Sequence, residues 1–247
     1  MRLPAKIPGI AFFLREYFFP VGCSACGRGL INAAEAWYGL CGDCHAGIEL
    51  DLNKNMSFEN CDLCGKPLIS EHKRCISCRK SEDSVIDRVK VLFPYRGKYR
   101  RLLASYKFGK NLALGNFFTE KITEAWGFCI AGMSTVSGTS IVPVPPRPGK
   151  IRKTGWDQIE YLARLLEGKG MPVNRCIKRL PSKSQKELDK KDRQTNLQGR
   201  IVPIRETPRT AVLIDDVMTT GATLEACTAV LKKAGAEKVY GLCLFYD

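Results

Sequence analysis

Thr210-Ala211-Val212-Leu213-Ile214-Asp215-Asp216-Val217-Met218-Thr219-Thr220-Gly221-Ala222-Thr223 is the stretch on which the fold turns. The apolar run from Thr210 to Ile214 predicts a buried strand. Ala222 to Ala234 follows with helical spacing, Lys232 and Lys233 in its last turn and Gly235 as its C-cap, and Val239 to Phe245 is a second apolar strand. Strand, helix and strand in that order make a parallel unit. Upstream, Val85 to Tyr95 reads as a strand, Lys98 to Phe108 and Asn111 to Ile130 as helices, Ser140 to Val144 as a core strand bounded by Pro143 and Pro145, and Trp156 to Glu167 as a helix. Residues 85–247 are therefore expected to form an α/β domain with a mostly parallel sheet flanked by helices. The polar, highly charged run from Lys178 to Gly199 reads either as a mobile loop or as an exposed helix.

The residues after Ile214 carry chemistry. Asp215 and Asp216 stand at the carboxyl end of a buried strand, where open α/β sheets bind ligands. Two adjacent carboxylates are costly to bury unless a polyhydroxylated ligand donates to them, with a hydrated divalent cation nearby. Thr219, Thr220, Gly221, Ala222 and Thr223 then turn into a helix. Its first N–H groups, its dipole and the threonine hydroxyls form a cradle for a phosphate, which Gly221 allows to come close. Acceptors for a ribose and a cradle for its phosphate thus lie within one short stretch.

The chain has 12 cysteines, eight of them in four CxxC pairs. Cys23-Ser24-Ala25-Cys26-Gly27 and Cys61-Asp62-Leu63-Cys64-Gly65 are two copies of a knuckle, each followed by a plain pair, Cys41/Cys44 and Cys75/Cys78. Two intervening residues let one turn present both sulfurs to one ion, and the glycine permits the left-handed backbone such a turn needs. The spacers of 14 and 10 residues suit zinc-ribbon hairpins. Two structural zinc ions follow, either in series (Cys23, Cys26, Cys41, Cys44, then Cys61, Cys64, Cys75, Cys78) or cross-braced. His45 and His72 read as surface residues beside these ligands. Cys129, Cys176, Cys227 and Cys243 are single, lie in apolar surroundings and read as core packing.

Composition divides the chain into residues 1–22, a short apolar helix; 23–80, the zinc-ribbon module, too poor in apolar pattern to fold without metal; and 85–247, the α/β domain. Phe12, Phe13, Tyr17, Phe18 and Phe19 give the first segment a face for packing on a neighbour, with a membrane-surface helix as the alternative. No export signal or membrane span is legible, which together with thiolate zinc sites points to the cytoplasm. The formal charge is +14, and two zinc ions on eight thiolates would leave about +10. That excess fits an anionic partner.

The motif of hydrophobic strand, Asp-Asp-Val-Met-Thr-Thr-Gly-Ala-Thr and helix resembles the phosphoribosyl-pyrophosphate (PRPP) signature of type I phosphoribosyltransferases. With the tandem CxxC segment ahead of it, the chain resembles the ComF/GntX family of competence-related proteins. The likeness extends to Tyr106-Lys107-Phe108, to Val142-Pro143-Val144-Pro145, to Gly155-Trp156-Asp157-Gln158, and to Gln185, Leu188, Arg193 and Asn196. It departs at Thr154, Trp156 and Asp157, where the family has Arg, Phe and Asn. The resemblance implies a type I phosphoribosyltransferase fold, with PRPP held by Asp215, Asp216, Thr219, Thr220, Gly221, Ala222 and Thr223 and Mg2+ bridging to the pyrophosphate. Asp215 and Asp216 are then the catalytic pair. Pyrophosphate contacts fall to the turn ending at Arg147 and to basic residues between Lys183 and Arg193, with Arg152 and Lys153 beside the position of the missing Arg.

Two classes of function follow. One is a phosphoribosyltransferase linked to DNA uptake, natural competence or nucleotide salvage. The other is a non-catalytic protein that senses PRPP or binds single-stranded DNA beside DNA-uptake proteins. Arg96, Lys98, Arg100, Arg101, Lys107 and Lys110, near Tyr95, Tyr99 and Tyr106, motivate the second. The phosphoribosyl half of a glutamine amidotransferase is disfavoured, because its N-terminal Cys nucleophile is absent from Met1-Arg2-Leu3.

Overall fold

The structure, a computed structural model, describes residues 22–56, 59–79, 84–130, 138–181 and 199–247. The helix expected over 1–22 and the basic loop 183–193 lie outside these residues, apart from Gly22. The helices are α1 (Ala33–Tyr38), α2 (Gly42–Met56), α3 (Ile76–Arg79), α4 (Gly97–Lys107), α5 (Ala113–Ile130), α6 (Lys150–Thr154), α7 (Gln158–Gly168) and α8 (Ala222–Lys233). The strands are β1 (Arg88–Pro94), β2 (Thr139–Pro143), β3 (Ile177–Arg179), β4 (Ile201–Pro203), β5 (Thr210–Met218) and β6 (Lys238–Tyr246). Two compact units result: residues 22–56 with 95–120, and residues 59–94 with 121–247. Composition marks 23–80 as one segment, yet by contact its two cysteine clusters fall in different units.

In the first unit, Asn32 caps α1 by accepting from the Glu35 N–H, and Gly39 ends it at φ 65°. Glu35 is buried and accepts from the N–H groups of Ile31 and Gly42, each at 2.9 Å. Those donors hold its carboxyl below the ordinary range. Along α4, Tyr99, Leu102, Leu103 and Tyr106 recur at helical spacing and all face inward. Tyr106 packs edge-on against Phe118 of α5, with ring centres 5.2 Å apart.

In the second unit a four-stranded parallel sheet runs in the order β1-β6-β5-β2, beside an antiparallel β3-β4 pair. The α/β class with helices flanking a parallel sheet is therefore what the chain adopts. The two central strands carry the longest apolar runs, as expected of strands covered on both faces. α7 packs on β2 and β5, and α8 on β4, β5 and β6. Gly241 of β6 lies where α8 meets β1: a Cβ there would come within 3.1 Å of Leu224 and Val89 side chains and 3.2 Å of Ile86, so a larger residue would require these side chains to give way by a few tenths of an ångström.

Both outer strands are covered. The Ile141 N–H of β2 donates to the Pro172 carbonyl at 2.7 Å, and its carbonyl accepts from Asn174 at 2.8 Å. On the other side, the Val89 N–H of β1 donates to Leu63 of the second knuckle at 2.8 Å. A Cβ on Gly65 would stand 2.3 Å from the Val89 carbonyl oxygen, so knuckle and strand touch backbone to backbone. Such cover satisfies polar groups that a bare edge would offer to other chains.

Candidate functional site

The eight paired cysteines form two groups, Cys23/Cys26/Cys41/Cys44 and Cys61/Cys64/Cys75/Cys78, each with all its sulfurs within 4.8 Å of one another. The pairing is serial. Cys26 and Cys41 sulfurs lie 3.7 Å apart, as do those of Cys64 and Cys75. A tetrahedron with zinc–sulfur bonds of about 2.3 Å has edges of about 3.8 Å, so the donor set fits zinc. Both knuckles use one turn: Gly27 and Gly65 N–H groups return to the Cys23 and Cys61 carbonyls at 2.8 and 2.9 Å. Each second pair stands at the start of a helix, with Cys41 and Cys75 just ahead of α2 and α3 and Cys44 and Cys78 inside them.

Burial pushes the Cys23 and Cys61 thiols up, but backbone N–H donors outweigh it and bring both down to about 7. Burial and the neighbouring sulfurs drive Cys44 and Cys64 the other way. Four sulfurs this close cannot all ionise unless a cation sits among them. Four thiolates also leave no open position, so a zinc ion held in either group would be structural. His45 is half-buried rather than fully at the surface: its ring packs 5.1 Å from Tyr38 and 5.5 Å from Phe117. Cys176, Cys227 and Cys243 are buried, and burial pushes their thiols up, which suits core packing. The Cys129 side chain lies outside the described residues.

The carboxylate pair stands on β5 itself. The sequence reading ends this strand at Ile214, but Asp215 and Val217 still pair with Cys243 and Phe245 of β6. Asp215 is half-buried and accepts from the Asp216 N–H at 2.8 Å. Asp216 is 8% exposed. One of its oxygens accepts from the Val217 N–H at 2.9 Å and the other from Gln158 Nε2 at 2.6 Å. Thr219 and Thr220 are exposed in the turn, and Gly221 opens α8 at φ 77°. A Cβ on Gly221 would meet nothing, so the backbone angle demands glycine there and the space before it is open. Ala222 and Thr223 form the first turn of α8.

Around the carboxyl ends of β2 and β3 lies a cleft of about 690 Å³. The proline-rich turn from Pro143 to Pro148 makes one wall, and Arg147, Arg152, Lys153, Lys178 and Arg179 line it. Among the described residues, Arg147, Arg152, Lys153 and Lys178 have no carboxylate partner. Arg175 does: it pairs with Glu160 at 3.0 Å and with Glu167 at 2.5 Å. Burial, then the charge of Arg147, pushes the Arg179 guanidinium below its ordinary range, with Arg200 adding to this and Asp215 opposing it. Sequence reasoning places Arg147 and misses Arg179, whose β3 strand is too short to show a period.

Thr154 is one of the positions at which the sequence departs from the resemblance. Its hydroxyl lies 2.9 Å from the Lys150 carbonyl and 2.8 Å from that of Trp156, closing α6. Lys150, half-buried, donates to Asp157 at 2.5 Å and to Gln158 Oε1. On α4, Tyr99 and Tyr106 are buried and Lys98 and Tyr99 are bound to Asp51 at 2.7 and 2.8 Å. Arg101 is spent on the Ala25 carbonyl at 2.8 Å. Two of the three tyrosines expected beside the basic cluster therefore serve the core; Phe108, 76% exposed, is an aromatic on the surface at the end of α4.

A parallel α/β sheet with a carboxylate pair and a threonine-rich turn at its carboxyl edge, preceded by two four-cysteine groups, defines the class of protein. No protein-family model matches the chain. It is similar to Competence protein F of Haemophilus influenzae, at 28% identity over 229 residues, 90% of this chain and 95% of that protein. It is also similar to Competence protein ComFC of Streptococcus pneumoniae, at 25% identity over 202 residues, 81% of this chain and 84% of that protein. The likeness to ComF-type competence proteins read from the motifs thus spans most of the chain.

Proposed function

We propose that the chain binds PRPP, or a related ribose phosphate, at Asp215 to Thr223 and acts in competence-related DNA uptake or nucleotide salvage. The observation that carries this is the continuity of β5 through the carboxylate pair into an open turn and a helix N-terminus. Acceptors for ribose hydroxyls and N–H donors for the 5′-phosphate then stand on one short segment. Arg147 and Arg179 supply positive charge on the side where a pyrophosphate would lie, and Mg2+ would neutralise charge on that group. Catalysis in such a site is mainly positioning, with a nucleophile displacing pyrophosphate from C1 of the ribose. The names of the two relatives motivate the competence-related role.

Calorimetric titration of PRPP with Mg2+ tests the reading: wild type binds, and the Asp215→Asn/Asp216→Asn double variant binds at least about tenfold more weakly. Absence of wild-type binding rejects it. Release of pyrophosphate with any acceptor separates a transferase from a PRPP sensor. Single-stranded DNA binding is a second reading, supported by the basic residues around exposed Phe108. It requires binding that strengthens as salt is lowered.

A further inference from the structure

We infer that Gln158, anchored by Lys150, is a positioning residue that sets Asp216 to recognise ribose hydroxyls, and so makes the site select ribose over 2-deoxyribose. The inference rests on the ribose-phosphate reading of Asp215 to Thr223 and extends it to a residue distant in sequence.

Gln158 opens α7 and is 5% exposed. Its Nε2 donates to Asp216 Oδ2 at 2.6 Å across an interval of 58 residues. Its Oε1 accepts from the Lys150 ammonium, which can only donate, so the amide has one orientation: oxygen to lysine, nitrogen to carboxylate. Lys150 is fixed in turn by Asp157 Oδ2 at 2.5 Å, while Asp157 Oδ1 caps α7 through the N–H groups of Ile159 and Glu160, each at 3.0 Å. A chain of four side chains therefore runs from the start of α7 to β5.

Its effect is to fix the plane of the Asp216 carboxylate. One oxygen is held by the Val217 N–H of its own strand and the other by an amide from a helix. Vicinal hydroxyls of a ribose present two donors at a set spacing, and carboxylates meet both only if their planes are fixed beforehand. A 2-deoxyribose offers one donor fewer. A hydroxyl to a charged acceptor contributes about tenfold in affinity, and that factor is what a loose carboxylate forfeits.

The test uses the full, zinc-loaded chain, titrated with ribose 5-phosphate, 2-deoxyribose 5-phosphate and inorganic phosphate. Wild type is expected to prefer ribose 5-phosphate about tenfold over the deoxy sugar. In Gln158→Met, which keeps length without donors, the preference falls to near unity while affinity for inorganic phosphate is unchanged. Lys150→Met moves the ratio in the same direction by a smaller factor, and decides the matter should Gln158→Met fail to fold. Failure of wild type to bind any ribose phosphate overturns the ribose-phosphate reading itself. Wild-type binding without preference, a preference untouched by the substitutions, or an equal loss for all three ligands overturns the role of Gln158 alone.

Discussion

Asp87, just ahead of β1, shows how one carboxylate ties two elements together, α8 and β6. It accepts from the Val239 N–H at 2.9 Å, from Lys232 of α8 at 2.9 Å and from Lys238 of β6 at 3.1 Å. Burial raises its pKa, but these donors outweigh it and the carboxyl sits below the ordinary range. A depressed carboxylate stabilises the fold above its unfolded pKa of about 3.9 and loses that contribution as pH falls through the folded value. Asp87→Asn should therefore lower the urea midpoint at neutral pH, with the gap to wild type closing below about pH 4. Gly65→Ala should be worse, since a Cβ 2.3 Å from the Val89 carbonyl forces backbone apart; a loss of about 2 kcal/mol or more by urea unfolding is expected. The threonine-rich turn was legible at this scale because Asp215, Thr219, Gly221 and Thr223 are neighbours in sequence. The Lys150–Gln158–Asp216 chain was not: no local pattern marks contacts between a short basic helix, a helix start and a strand end.

At the scale of elements, the second cysteine group and β1 form one construction. Leu63 of the knuckle accepts from Val89, and Gly65 rests on its carbonyl, so metal at Cys61, Cys64, Cys75 and Cys78 would support the outer strand of the sheet. Chelation, or Cys75→Ser/Cys78→Ser, should increase amide exchange across 88–94 more than across 210–218, read by hydrogen–deuterium exchange. Strand and helix types were legible from periodicity for β5, β6 and α8. The end of β5 was not, because Asp215 and Asp216 read as a turn until the pairing with β6 is known. Knuckle spacing announced metal, but it did not show that each second pair would stand at a helix start, a choice made by the residues that follow.

For the whole molecule, the two groups of four thiolates set a stoichiometry. Metal analysis should return two zinc ions per chain, and one after Cys41→Ser/Cys44→Ser. If PRPP binds as proposed, a hundredfold excess over its dissociation constant should stabilise the folded chain by about 2.7 kcal/mol, seen as a rise in melting temperature that Asp215→Asn/Asp216→Asn abolishes. No described helix is long and apolar enough to cross a membrane.

The strand order also governs how the chain assembles as it is made. β1 finds its neighbour β6 only after about 150 further residues have been added, since Arg88 pairs with Tyr240. A nascent strand left open that long is exposed to pairing with other nascent chains. The knuckle at Cys61 to Gly65 precedes β1 in sequence and binds along it, so a zinc ion captured early would shelter one side of that strand through the wait. Expression under zinc starvation should accordingly yield aggregates whose cause is a lost escort for β1, with every residue of the threonine-rich turn intact.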